Sequence, residues 1–421
     1  MKRILLVIPS TTYRTHDFMK AATKLGVELI VASDHRQAMA SLVPDTTIAL
    51  NFRRPVTIAP KMFEFVEKKT FREQPSLSPP FDAVVGVDDT SAYIAAIIAQ
   101  ALAISHNSPL AVKAARNKYL MRQQMAAAGL STPGFRVFSA KKNPQRLAKR
   151  MDYPCVLKPI FLSASRGVAR ADSPDTFIAA FQEIQNLLKN PDVAAKAYDN
   201  EANQILVEDY IPGIEVAVEG ILINKEFKSL AIFDKPDPLE GPHFVETIYV
   251  TPSQLPGYVQ REVLHAAHRA ALALGLENGP VHAEARINEN GAWVVEIAAR
   301  SIGGLCSRIL RFDDSISLEE LILQQAIGEN ILSIQREKSA AGVMMIPISK
   351  AGTLRTIDGL ENAKTVSGVE DIIITIPNDQ EVEPMPRGGR YLGFIFAKAS
   401  DPEEVEAAIR NAFKKLEIII D

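Results

Sequence analysis

Residues 283–300 read AEARINENGAWVVEIAAR, and no other stretch restricts the fold of this chain so closely. Apolar residues recur at alternate positions: Ala283, Ala285 and Ile287 before Glu289-Asn290-Gly291, then Trp293, Val295 and Ile297 after it. A period of two belongs to a half-buried strand pair. A three-residue loop with Gly291 in the left-handed position sets Glu284 directly across from Glu296. Both acids then share the face opposite Trp293 with His282, Arg286, Ala298 and Arg300. Like charges opposed on a sheet destabilise it, so something must offset them. Two readings stay open. A divalent cation can bridge the acids, with oxygen ligation favouring Mg2+ or Mn2+ over Zn2+. Alternatively, Arg286 and Arg300 neutralise them in a surface salt-bridge cluster.

The remainder of the chain bounds the setting. A length of 421 residues suggests two to four domains with ample core. With 47% hydrophobic and 23% charged residues it reads as an ordinary soluble globular protein. A formal charge of -3 gives no electrostatic footprint for nucleic acid. Cys155 and Cys306 lie far apart without metal-ligand spacing, as free thiols of a reducing, cytoplasmic setting. The apolar run in MKRILLVIPS is too short for a signal-peptide core. The longest apolar stretch, AYIAAIIAQALAI, is interrupted by Gln100 and falls short of the ~20 residues that span a bilayer. It reads as a buried helix, and no membrane association is expected.

KRILLVIP, a polar loop, a helical pattern from about Phe18 and then VELIVAS open a βαβ unit, which predicts a parallel sheet. FDAVVGVDDTSAYIAAIIAQAL repeats that logic, with Asp88 and Asp89 at the strand's end, and REQPSLSPPF between them reads as a loop. These elements form an N-terminal α/β domain over 1–112. A helix containing Lys118 stops around Gly129, with Pro133 beyond it. An α+β region follows to residue 333, with a smaller subdomain over about 134–205. A C-terminal α+β domain, 334–421, has strands VMMIPIS, DIIITI and YLGFIFAK. Its helix starts at an Asp401 cap with Pro402 at N1, and Glu403 and Glu404 complement the dipole.

Three further motifs carry candidate chemistry, each beside a plainer reading. In PCVLKPIFLSASRGVAR, a strand bearing Lys158 leads into a small-residue loop with Ser163, Ser165 and Gly167. Such a loop can fold over phosphates while lysine supplies a point charge. It lacks GxxxxGK[ST], so it is no P-loop, and a mobile surface hairpin is the alternative. In ILVEDYIPGIEVAVEG, a strand ends at Glu208, a linker runs through Pro212-Gly213, and Glu215 opens the next strand. The linker can bind a nucleobase edge and Glu215 ribose hydroxyls, or the unit is simply strand–turn–strand. DKPDPLEGPHFVETIYVTPSQLP, with His243 and Glu246, is too polar and broken for core. Its Glu246 either meets a substrate ammonium group or is idle. SIGG, Ser301–Gly304, permits a tight turn where a ligand can approach the backbone.

Taken in order, Lys118, the Lys158 strand and loop, VEDYIPGIE and Glu284…Glu296…Arg300 resemble the ATP-grasp superfamily. FVETIYVTP and the C-terminal AGTLRTIDGLENAKTVSGVEDIII look like its branch of L-amino acid ligases and related carboxylate–amine ligases. The resemblance implies an ATP-grasp fold, α/β and α+β, with a parallel α/β (pre-ATP-grasp) domain, an ATP-grasp domain over 113–333 and a small C-terminal domain. It implies ATP with Mg2+ (or Mn2+). Lys118 and Lys158 would contact phosphates, under a closing loop of Ser163, Ser165, Arg166, Gly167 and Val168. Glu208 and Ile211 would read adenine through backbone groups and Glu215 would bind ribose. Glu284 and Glu296 would be metal ligands and Arg300 the catalytic arginine. Glu246 would hold a substrate amino group, with Tyr249, Arg300, Gly303 and Gly304 around the substrate. Two positions depart from the pattern: Ala298 stands where many members have asparagine, and Tyr249 where amino-acid ligases often have histidine. The implied activity is an ATP-dependent C–N ligase acting on a small-molecule carboxylate and an amine through an acyl phosphate. Its rivals are a carboxylase-type or purine-pathway ligase using bicarbonate or formate, and a module that binds nucleotide without turnover. Dimers are common among proteins of this resemblance, which leaves a homodimer open.

Overall fold

The computed structural model describes residues 1–35, 46–73 and 80–421. Strands Arg3–Ile8, Glu28–Ser33, Thr47–Ala49 and Ala83–Gly86 pair in parallel. Their order is Thr47–Ala49, Glu28–Ser33, Arg3–Ile8, Ala83–Gly86. Arg3–Ile8 is central, and Ile4, Leu5, Leu6 and Val7 are all 0% exposed. Burial on both faces explains a continuous apolar run in place of alternation. The first helix, Thr15–Leu25, begins ahead of the expected Phe18 and ends on left-handed Gly26. AYIAAIIAQALAI lies mostly in helix Asp89–Ala101, whose Ile94, Ala95, Ile98 and Ala99 are buried. Asp88 caps that helix through the Ser91 N–H in a reciprocal capping box. Of the stretch read as a loop, REQPSLSPPF, the first two residues belong to helix Ile58–Glu73 and 74–79 lie outside the described residues.

A second, antiparallel sheet has the order Phe135–Ser139, Gln204–Asp209, Cys155–Pro159, Ala169–Ala171. Helix Pro174–Lys189 packs Phe177, Phe181 and Ile184 into a core with that sheet's Leu157, Ile205 and Leu206. The largest sheet has eight antiparallel strands: Gly291–Ala298, Gly279–Asn288, Ile214–Ile223, Glu226–Asp234, Ile248–Thr251, Ala340–Ile346, Gly393–Ala399 and Val369–Ile374. Three of its strands, Ala340–Ile346, Val369–Ile374 and Gly393–Ala399, lie beyond residue 334, so the C-terminal segment continues the same sheet. Helix Pro402–Phe413 starts on Asp401, which accepts the Glu404 N–H. Among the described residues, no helix is long and apolar enough to cross a membrane.

The hairpin at 283–300 reaches its expected register by an unexpected route. Asn288 pairs with Gly291, so the loop is the two residues Glu289 and Asn290, not three. A bulge then lets Ala285 face Val294 while Glu284 still faces Glu296. Trp293 consequently pairs with Arg286, and Val294, not Trp293 or Val295, joins Ala283, Ala285 and Ile297 in the core. The Arg122 guanidinium donates to the carbonyls of Val294 (3.4 Å) and Val295 (2.6 Å), which fixes the bulge from below.

Candidate nucleotide and metal site

The four-stranded antiparallel sheet and the hairpin enclose a cavity of about 670 Å³, lined among others by Lys118, Lys158, Glu208, Glu215, Glu284 and Glu296. Lys118 is the first residue of helix Lys118–Ala127, capped by the Asn117 side chain. Its Nζ donates to the Leu162 carbonyl (2.6 Å) and lies 3.2 Å from Glu296. Lys158 sits on strand Cys155–Pro159 with Nζ 2.6 Å from Glu208. Arg122 holds the other side of Glu208 through Nε at 2.6 Å. Burial works to raise the Glu208 carboxyl, but the charges of Arg122 and Lys158 outweigh it and bring it down to about 2.

The opposed acids of the hairpin each have a protein cation. Lys118 serves Glu296; Lys235 (3.6 Å) and His282 (3.7 Å) serve Glu284. The arginines named as neutralisers point elsewhere. Arg286 donates to Glu215 (2.9 Å) and to the Ile211 carbonyl (2.6 Å). Arg300 grips Asp89 with Nε and Nη2, both at 3.2 Å, tying the hairpin's end to helix Asp89–Ala101. Burial alone would raise the Glu284 carboxyl; Lys235 and the His282 hydrogen bond hold it well below the usual range. Burial likewise would lower His282, but hydrogen bonds to Glu219 and Glu284 lift it to about 9.

Lys235 was not singled out by the sequence. Its Nζ lies 2.8 Å from Glu215, 3.6 Å from Glu284 and in contact with Glu246. Oxygens of those three acids come within 4.8 Å of one another. Burial opposes the charge of Lys235, but the three carboxylates push its pKa well above the ordinary value. Glu246 is therefore neither idle nor free: Lys235 holds it, while burial and the Glu284 charge raise its own pKa. The signal lay in register. Asp234 pairs with Val216, and one more antiparallel step sets Lys235 against Glu215.

The loop Ser163–Val168 is closed down. Ala164, Ser165 and Gly167 have positive φ, the Gly167 N–H donates to Pro386 (3.0 Å), and Arg166 Nε donates to the Arg387 carbonyl (3.1 Å). Tyr249 is buried with its ring 5.3 Å from Lys235 Nζ. Ala298 is buried opposite His282 and brings no oxygen to the acids. The glycine turn is held from behind, where the Ile302 N–H donates to Glu219 (3.0 Å).

Comparison with known proteins agrees with this geometry. Residues 151–309 match the ATP-grasp domain family, and residues 344–421 match L-amino acid ligase C-terminal domain 2. An uncharacterized protein of Sinorhizobium fredii is 26% identical over 73% of this chain and 62% of its own length. Alanine–anticapsin ligase of Bacillus subtilis is 31% identical over 46% of this chain and 43% of its own length. The chain thus spans less than two thirds of these curated relatives. The solved structure of L-amino acid ligase from Bacillus licheniformis superposes with a TM-score of 0.78 at 24% identity, covering 100% of this chain and 99% of that one. The chain carries an ATP-grasp domain followed by an L-amino acid ligase C-terminal domain.

Proposed function

We propose that this chain is an ATP-dependent carboxylate–amine ligase, joining an amino acid to an amine or a second amino acid through an acyl phosphate. The observation that carries the reading is one cavity in which Lys118 and Lys158 enter opposite the paired Glu284 and Glu296, roofed by a closed small-residue loop. The named activity of alanine–anticapsin ligase supports it. Residues 113–333 would form the catalytic unit between 1–112 and 334–421.

Glu284 and Glu296 would hold Mg2+; their all-oxygen donor set suits a hard cation, and His282 is engaged through Nδ1 with Glu219 and through Nε2 with Glu284. Bound there, the ion would neutralise charge on the nucleotide phosphates. Lys118 and Lys158 place two ammonium groups on the same phosphates, which for Lys158 means sharing Glu208. The strand end from Glu208 to Ile211 and Glu215 line the same cavity; Glu208 and Ile211 would read adenine and Glu215 would bind ribose. A carboxylate oxygen of the substrate attacks the γ-phosphorus and ADP leaves. The amine nitrogen then attacks the acyl carbon, phosphate leaves, and the nitrogen gives a proton to solvent. Arg300, fixed by Asp89, orients the carboxylate and stabilises the oxyanion, a donor role worth roughly 3 kcal/mol. The Ser163–Val168 loop keeps water from the acyl phosphate.

Phosphate release from the purified protein, screened against pairs of L-amino acids, tests this. Release with a specific pair, and hydroxamate formation when hydroxylamine replaces the amine, is the expected result. Release with bicarbonate or formate instead, or tight ATP binding without release, overturns it. Glu296→Gln should cut turnover at least about 100-fold; wild-type turnover in this variant removes the metal assignment.

A further inference from the structure

Glu246 lies near the end of a long connection, residues 235–247, between strands Glu226–Asp234 and Ile248–Thr251. Three arginines from separate elements hold it. Arg286 of strand Gly279–Asn288 donates to the Leu239 carbonyl. Arg410 of helix Pro402–Phe413 pairs with Asp237 (2.6 Å), which also accepts the Thr247 hydroxyl. Those two fix the connection to the large sheet and to the C-terminal helix. The third, Arg170, belongs to strand Ala169–Ala171 at the edge of the four-stranded sheet, two residues beyond the closed loop Ser163–Val168.

Arg170 pairs with Val156 within the sheet, and its own N–H donates outward to the Pro242 carbonyl (2.8 Å), as a strand at a sheet edge can. Its Nη1 donates to the Glu240 carbonyl (2.9 Å) and its Nε to Asp172 (2.8 Å), while the guanidinium lies 4.1 Å from the centroid of the Tyr210 ring. Gly241 permits this approach: its φ is +100, and a Cβ there would lie 2.9 Å from the Cβ of Arg170. Further along the connection, Phe244 lines the nucleotide cavity with its ring stacked on Tyr210, and Glu246 meets Lys235. One connection thus touches the strand behind the phosphate loop, the nucleotide cavity and the acid cluster.

We propose that Arg170 is a positioning residue: as the loop Ser163–Val168 closes on nucleotide, it carries Arg170 onto residues 240–242 and so sets Glu246 for the substrate amino group. Nucleotide and amino-acid substrate then bind cooperatively, and by linkage each tightens the other by the same factor. The inference rests on the ligase reading above and deepens it, and the test separates the two. The full-length protein is titrated calorimetrically with AMP-PNP and Mg2+, with and without a saturating amino acid from a pair that supports phosphate release. The ratio of the two Kd values is the coupling factor, which in wild type should be at least about fivefold. Arg170→Ala should bring it below about twofold. Arg170→Lys, which keeps a donor for the Glu240 carbonyl and a cation over Tyr210, should retain most of it. Gly241→Ala, made from the other side of the contact, should lower it as well, and the double variant should lose no more than Arg170→Ala alone. A merely structural defect weakens both titrations alike and leaves their ratio unchanged. A factor of about one in wild type, or an unchanged factor in Arg170→Ala, overturns the inference, while phosphate release with the pair keeps the ligase reading. Release with no pair brings down both.

Discussion

Replacing Lys235 with methionine isolates the charge at the centre of the site, because methionine keeps most of the stem's packing and removes the ammonium. The Lys235 side chain is 3% exposed, and its partners Glu215, Glu246 and Glu284 are 10%, 12% and 20% exposed. Removing one member of a buried ion cluster costs about 3–5 kcal/mol, because Glu246 then stays buried without a cation, whereas Arg286 still serves Glu215 and His282 still serves Glu284. At a urea m-value of about 2.5 kcal/mol per M, the midpoint should fall by roughly 1–2 M. Trp293 is the single tryptophan of the chain and lies in the carboxylate hairpin, so its fluorescence reports unfolding where the perturbation acts. The sign of the pH dependence follows from Glu246. Burial and the Glu284 charge already raise its folded pKa, and without the ammonium nothing opposes them. The variant's deficit is then full at neutral pH and shrinks as acidification protonates Glu246. A midpoint loss worth under about 1 kcal/mol, or one that does not change between about pH 8 and pH 5, would refute the view that Lys235 is the counter-charge of this cluster.

Two further outcomes follow from the geometry. Glu208 is held near 2 against an ordinary 4.5, so its ion pairs contribute stability above about pH 4.5 that is lost as pH falls through about 2, roughly 3 kcal/mol in all. Wild type and Glu208→Gln should therefore differ most near neutrality and converge on acidification in urea titrations; a constant gap contradicts the assignment. Gly167 has φ +74, and a Cβ there would meet Leu187 at 2.7 Å and Pro159 at 2.9 Å. Gly167→Ala should open the loop, raising the KM for ATP about tenfold and exposing 163–168 to limited proteolysis. An unchanged KM with unchanged proteolysis would mean that the closed loop does not contribute to nucleotide binding.

What could be read before any coordinates divides along a physical line. Alternation and caps depend on neighbours in the chain, so the buried helix at 89–101, the Asp401 cap and the parallel opening sheet were all legible. The opposition of Glu284 and Glu296 was legible too, though through a miscounted loop that an unforeseen bulge put right. A bulge depends on what lies beneath the strand, here Arg122, which sits more than 160 residues earlier in sequence and donates to Val294 and Val295. No local pattern announces such a group. Lys235 was hidden differently. The register shift between Ser229 and Ala231 moves each later residue of its strand by one partner, and only then does Lys235 meet Glu215. The offset to the paired acids therefore has a part that the chain supplies itself. Lys118, His282 and Lys235 reach Glu296 and Glu284 from three separate elements, so the two like charges are tolerable with no ion between them. The hairpin's stability is consequently no measure of metal binding, and the metal assignment has to be judged on turnover in Glu296→Gln.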